Sequence, residues 1–387
     1  MAQWGCGSAG SMTPVADASV PAAIVGTRDR EHMRRALALA EGGWGNTAPN
    51  PMVGAVVVAD ERVVGEGFHA RYGEAHAEVI ALRAAGEAAR GATMYVTLEP
   101  CAHHGKTPPC IDAVIAAGIA RVVIAVRDPS DIARGGVERL RAGGVVVDVG
   151  VERDAALELN APFFNAHGSD RPWVTLKLAL SADGGIADPT GRHRWITGRT
   201  SRRAVHRMRA NADAIAVGIG TVLADDPSLT VRDVDSPRVQ PTRVVFDHTL
   251  RLPLTSTVVR TAYDVPTVVI AAPGHELTPE HAKAGVDVVT AESIGDALVA
   301  LQQRGVRSLF LEGGARLAGA FLRDALVDRL TIFQAPLMLG GEPLRAFGFA
   351  PPGFEASLAT YRVVEQRRFD EDVMTTYALT AIPCSPD

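Results

Sequence analysis

The sequence predicts two α/β domains in one chain, and three observations predict it. A chain of 387 residues is long enough for about two domains that each bury a core. In both halves, Val-rich runs of strand length alternate with stretches of helical pattern, as expected for helices layered on a sheet. Between Leu157 and Pro172 the alternation lapses into a stretch with Asn, Gly, Ser and two prolines. The expected organisation is a disordered tail over 1–27, a first domain over 28–150, a linker over 151–172 and a second domain over 173–382.

In the first domain Arg30–Gly42 reads as a helix, with Ala36, Leu37 and Ala40 among its apolar positions. Met52–Asp60 and Arg62–Phe68 read as strands of a hairpin turning at Asp60-Glu61. A helix from His76 to about Arg90 follows, then a strand over Thr93–Leu98 and a helix over Pro109–Ala117 closed by Gly118. Arg121–Val126 reads as strand, Val137–Ala142 as helix and Val145–Val149 as a short strand. In the second domain the strand candidates are Val174–Leu180, Ala214–Val217, Arg243–Phe246, Thr267–Ala271 and Ser308–Leu311. The helix candidates there are Ser201–Arg209, Pro279–Ala284, Ile294–Gln303 and Ala315–Leu326.

Composition narrows the function. A hydrophobic content of 47% and a charged content of 21% are ordinary for a soluble enzyme. A net charge of −5 argues against a polyanion-binding surface and hence against a nucleic-acid partner. No apolar run approaches the roughly 18–20 residues that span a bilayer. The first 26 residues are rich in Ala, Gly, Ser and Pro and lack a basic start, so they read as a tail and not as a signal peptide. A cytoplasmic location is expected.

The chemistry concentrates between His76 and Cys110. Of four cysteines, Cys6 and Cys384 lie near the ends and Cys101 and Cys110 lie in this stretch. One histidine and two cysteines are three ligands of the type zinc prefers, which leaves a fourth tetrahedral position for water. Glu78, two residues after His76, suits a proton shuttle, the arrangement of zinc hydrolytic deaminases. Residues i and i+2 diverge on a regular helix, so both can face one metal only if His76 sits where the helix begins. The competing reading is a structural zinc site with His103 or His104 as fourth ligand. The Cys101–Cys110 spacing departs from the common Cys-x-x-Cys, and Lys106 and Thr107 in the longer loop read either as a phosphate hold or as solvated loop.

The blocks Asn50-Pro51-Met52-Val53-Gly54, Gly67-Phe68-His69, Gly73 to Glu78 and Leu98 to Cys110 resemble the bifunctional deaminase–reductase family of riboflavin biosynthesis. So do Trp173 to Gly184, Trp195-Ile196-Thr197, Gly218 to Thr230 and Leu311-Glu312-Gly313-Gly314, and the resemblance covers about Arg28 to Ile382. It implies a cytidine-deaminase-like three-layer domain followed by a dihydrofolate-reductase-like α/β domain, with Zn2+ and NADPH as cofactors. It also implies a phosphoribosylaminopyrimidine substrate, with a homo-oligomer left open. Carried over residue by residue, it implies that Asn50, His69, His103 and Lys106 hold the deaminase substrate. Taken alone, Asn50 reads equally as a turn residue and His69 as a core histidine.

In the second domain Lys177 is a cation inside an apolar strand, and an unpaired buried lysine is costly, so it should face a pocket. Arg209 and Arg232 are candidates for the substrate phosphate. Asp225 suits ribose hydroxyls or proton transfer, and the resemblance adds Leu229 and Glu312 to this substrate set. It implies cofactor contacts from Leu180, Trp195, Thr197, Thr221, Asp225, Gly313 and Gly314. Gly313-Gly314, between a strand and a helix, is either a phosphate cradle or a plain turn. No Gly-x-Gly-x-x-Gly fingerprint opens the domain, so the NADP preference comes from the family alone. The chain departs from the family at His193, where a small polar residue is usual, and at Ala182, where leucine is usual. The rival readings are a nucleoside or nucleic-acid deaminase with an unrelated second domain, and a zinc-stabilised binding protein without catalysis.

Overall fold

A computed structural model of the chain describes residues 26–103, 108–130, 133, 135–188, 195–312, 314–347 and 361–379. Most of the expected tail, His104, Lys106, His193 and Gly313 lie outside the described residues.

The first domain runs α1 (Thr27–Ala40), β1 (Gly54–Ala59), β2 (Arg62–Phe68), α2 (Ala77–Ala85), β3 (Thr93–Val96), α3 (Cys110–Ala116), β4 (Arg121–Ile124), α4 (Gly136–Ala142) and β5 (Val146–Val149). Its five-stranded sheet has the order β2-β1-β3-β4-β5, antiparallel across β2-β1-β3 and parallel across β3-β4-β5. The Val-rich run of β1 serves two cores at once. Val56 and Val58 pack with Met33 and Ala36 of α1, while Ala55 and Val57 pack with Ala77 and Ala81 of α2. Burial on both faces is why the strand reads as a continuous apolar run and not as an alternation. The Asp60-Glu61 turn has both residues at positive φ, 47° and 63°, the mirror-image turn that tight hairpins favour. A Cβ on Gly54 would collide with the Ala36 carbonyl and one on Gly67 with the Ala77 carbonyl, so these glycines let α1 and α2 lie directly on the sheet.

The segment 151–172 is not an irregular linker. It forms α5 (Arg153–Leu159) and α6 (Ala161–Asn165), whose Ala156, Leu157 and Phe164 belong to the α1-side core of the first domain. Helices this short leave too few turns for a periodic signal.

The second domain runs β6 (Trp173–Leu180), β7 (Gly185–Ala187), α7 (Arg199–Ala210), β8 (Ala214–Gly218), α8 (Ile219–Asp225), β9 (Thr242–Phe246), α9 (Thr257–Arg260), β10 (Thr267–Ala271), α10 (Pro279–Lys283), β11 (Val286–Thr290), α11 (Ile294–Gln303), β12 (Ser308–Leu311), α12 (Ala315–Arg323) and β13 (Arg329–Gln334). It ends with β14 (Leu344–Arg345), β15 (Tyr361–Phe369) and β16 (Asp372–Leu379). The nine-stranded sheet has the order β11-β10-β9-β8-β12-β6-β13-β16-β15. It is parallel from β11 to β13, and β16 and β15 add an antiparallel edge. Alternate residues of β8 again face two cores, with Ala214 and Ala216 on one side and Ile215 and Val217 on the other. The C-terminal ends of β6, β8 and β12 lie side by side, the place where open α/β sheets hold ligands. No described helix is long and apolar enough to cross a membrane.

Candidate active sites

The first site forms where α2 and α3 begin. His76 is the N-cap of α2 with extended backbone (φ −75°, ψ 162°), so its ring and the Glu78 side chain escape the divergence of a regular helix. Gly73, at φ 87°, turns the chain into that position. Cys101 follows β3 and Cys110 opens α3, where its backbone N–H donates to the Cys101 sulfur at 3.4 Å. His76 Nδ1 lies 3.2 Å from Cys110 Sγ and 3.6 Å from Cys101 Sγ. The three ligand atoms lie within 4.8 Å of one another.

Electrostatics make this a cation site. Hydrogen bonding from Cys110 and His76 holds the Cys101 thiol well below the usual range, and the negative sulfur beside it, with burial, pushes Cys110 up. The Cys101 sulfur also raises His76. An imidazole nitrogen and two sulfurs within 4.8 Å of one another are a donor set that fits zinc. Glu78 is 3% exposed, and burial raises its carboxyl above the ordinary glutamate value.

Two of the expected substrate residues, Asn50 and His69, lie beside the triad. Asn50 Nδ2 donates to His69 Nε2 at 3.3 Å, while His69 Nδ1 donates to the Ala75 carbonyl at 3.2 Å. The buried His69 ring meets that of His76 edge-on at 5.3 Å, and burial lowers its pKa. Among the described residues the buried Nδ1 of His103 has no hydrogen-bond partner. Glu99, quoted in the motif but given no role, is buried and accepts from the backbone N–H of Asp128 and Val137. It thereby ties the cysteine loop to the first turn of α4 and to Asp128 after β4.

The second site lies at the ends of β6, β8 and β12. Glu312 follows β12 and forms a two-pronged ion pair with Arg209 of α7, with Arg209 Nη2 donating at 2.9 Å and Nε completing the pair. Lys177 is half-buried on β6. Burial lowers its pKa while Glu312 opposes the shift. Burial alone would raise Glu312, but Arg209 and Lys177 outweigh it and hold the carboxyl below its ordinary value. His206, one turn before Arg209, went unnoticed in the sequence. Its Nδ1 accepts the Arg232 backbone N–H at 3.2 Å, and burial with Arg209 and Arg232 holds its pKa down at about 4.

The other expected residues of this domain are spread between buried and exposed positions. Arg209 does not present its guanidinium fork to solvent, because Nε and Nη2 bind Glu312 and Nη1 donates to the Thr230 carbonyl at 3.0 Å. The side chains of Leu180 and Leu229 are buried in two cores, which leaves only their backbone groups for any contact with a ligand. Ala182 is exposed on a turn, so the missing leucine leaves no hole beside Lys177. Arg232 and Asp225 are exposed, with Arg232 Nη1 donating to Ser228 Oγ at 3.0 Å. Trp195 is 54% exposed beneath the Arg202 guanidinium, and Thr197 is buried. Thr221 of α8 faces Gly314, the extended N-cap of α12.

Comparison with known proteins gives the family of each half of the chain. The cytidine and deoxycytidylate deaminase zinc-binding region matches residues 26–126, and the RibD C-terminal domain matches residues 172–375. The riboflavin biosynthesis protein RibD of Aquifex aeolicus is 45% identical over 81% of this chain and 88% of its own. The chain belongs to the RibD family. RibD of Escherichia coli is 40% identical over 89% of this chain and 98% of its own. The structure of Acinetobacter baumannii RibD covers 92% of this chain and 99% of its own at 37% identity, with a TM-score of 0.78. The deaminase–reductase structure from Thermotoga maritima covers 91% and 99% at 35% identity, with a TM-score of 0.77. The chain is thus a bifunctional deaminase and reductase of riboflavin biosynthesis, with a zinc-binding deaminase domain and a reductase domain for which the family implies NADPH.

Proposed function

We propose that the first domain deaminates 2,5-diamino-6-(5-phosphoribosylamino)pyrimidin-4(3H)-one. The second would then reduce the ribosyl group of the resulting aminouracil to ribityl, both steps occurring in the cytoplasm. The observation that carries this reading is the convergence of His76, Cys101 and Cys110 beside the buried Glu78. Bound zinc supplies the Lewis acidity that makes water nucleophilic near neutral pH. With zinc held by His76, Cys101 and Cys110, Glu78 would move a proton from water to the departing amine, a role its raised pKa suits. Asn50 and His69, held in one orientation by their hydrogen bond, position the pyrimidine, and His103 offers Nδ1 to the substrate.

In the second domain bound NADPH supplies the hydride. Lys177 faces the opened sugar, Glu312 orients it, and Arg209 locks Glu312 in place. Arg232, whose guanidinium is open to solvent, holds the substrate phosphate, and Thr221 with Gly314 flanks the cofactor. The test is to incubate zinc-loaded protein with the diaminopyrimidinone ribotide and NADPH and to weigh the products. Exchange of an amino group for oxygen with addition of two hydrogens is expected. Unchanged substrate would overturn the reading.

A further inference from the structure

The loop that carries Asn50 is held from the other domain. Residues 44–50 connect α1 to β1, yet much of their backbone and side-chain bonding goes to the second domain. The Arg238 backbone N–H donates to the Gly45 carbonyl at 3.1 Å, and Arg238 Nη2 donates to the Ala48 carbonyl at 2.7 Å. The same guanidinium lies 5.2 Å from the centre of the Tyr72 ring, and the Tyr72 backbone N–H donates back into the loop at the Asn46 carbonyl. Arg307 Nη1 donates to the Pro49 carbonyl at 2.9 Å, one residue before Asn50. At the other end of the loop, Trp44 Nε1 donates to the Arg207 carbonyl at 2.7 Å and the Gly45 N–H donates to Asn211 Oδ1 at 3.3 Å.

We propose that Arg238, a residue of the reductase domain, is a positioning residue of the deaminase. It grips the loop at Gly45 and at Ala48 and braces Tyr72, so that Asn50 meets His69 in the pose that receives the pyrimidine. Arg238 is the centre of this grip because it touches both chain segments, 45–48 and Tyr72. A carbonyl gripped by a charged donor holds its place better than one left to water, and a small displacement of a substrate contact is enough to weaken binding. This inference rests on the reading of Asn50 as a substrate contact.

The test uses full-length, zinc-loaded enzyme and steady-state deamination by wild type, Arg238→Ala, Arg238→Lys, Asn50→Ala and the double variant Asn50→Ala/Arg238→Ala. Arg238→Ala should raise the deaminase KM on the order of fivefold with little change in kcat, zinc content or reduction. Arg238→Lys, which keeps a donor for Ala48, should recover part of the loss. In the double variant the arginine substitution should add nothing beyond Asn50→Ala, because both act through one contact. If Asn50→Ala leaves KM unchanged, the reading of Asn50 fails. If Asn50→Ala raises KM while Arg238→Ala behaves as wild type, the positioning role fails. Additive effects in the double variant, or parallel losses of zinc, reduction and deamination, would make Arg238 a purely structural residue and also overturn it.

Discussion

Replacing Glu312 by glutamine probes the reductase site directly. The Glu312 and Arg209 side chains are 14% and 11% exposed, and Lys177 lies close enough for its charge to be felt at Glu312. Neutralising the carboxylate leaves two cations facing each other in a largely dry pocket. Removing one partner of a buried pair typically costs about 3–5 kcal/mol. The lower end applies here, because Arg209 keeps its bond to the Thr230 carbonyl. A domain of this size loses about 2–4 °C of Tm per kcal/mol, so a loss of about 3 kcal/mol lowers its transition by roughly 6–12 °C.

Calorimetry on full-length Glu312→Gln, with the deaminase transition as internal reference, measures this shift. NADPH oxidation on the same sample reads the loss of reduction. The effect should depend on pH. The folded-state pKa of Glu312 lies below its ordinary value of 4.5, so its contribution is complete above that value and fades as pH falls through the lower folded one. Variant and wild-type Tm should therefore converge in acid. A shift below about 2 °C at neutral pH, with reduction intact, would refute the claim that this pair organises the site.

Three further outcomes follow from the same geometry. Glu78→Gln should retain zinc by elemental analysis while ammonia release falls by about 10²–10⁴-fold, the usual weight of an acid–base group; undiminished release would remove Glu78 from the mechanism. Lys177→Ala should abolish NADPH oxidation and spare deamination, and loss of both would mean that the domains do not act separately. His206 is held at about 4 in the fold against 6.5 when free, so the unfolded chain binds the extra proton first. Reductase-domain stability should be full above pH 6.5 and fall as pH drops toward 4, with a shallower fall in His206→Asn; identical pH–Tm curves would contradict the buried, neutral imidazole.

Legibility in the sequence followed burial. Strands such as β1 and β8 are apolar on both faces, so their Val- and Ala-rich runs could be read without knowing their neighbours. β15 was missed because it is an edge strand. Its sequence, Tyr361-Arg362-Val363-Val364-Glu365-Gln366-Arg367-Arg368-Phe369, is partly or fully exposed along its length and shows no apolar stripe. With it went β16, and so the antiparallel end of the larger sheet. The linker was misread because α5 begins at a left-handed Glu152 and α6 spans one turn and a half, so neither repeats long enough to register.

The two sites differ in the same way. The zinc triad is written into one continuous stretch from the start of α2 through β3 to the start of α3, where spacing limits what the side chains can reach, and residue types alone exposed it. The reductase site is assembled from strand ends far apart in the chain. Arg209 and Glu312 are 103 positions apart, and only the sheet order that places β12 between β8 and β6 brings Glu312 to Lys177. Local pattern could therefore nominate Arg209 as a charge without showing that another residue of the site already uses it. The grip of Arg238 on the Asn50 loop spans 190 positions and involves backbone carbonyls, which leave no trace in residue identity. What the sequence hides in this chain is chiefly the contact that commits a side chain before the substrate arrives.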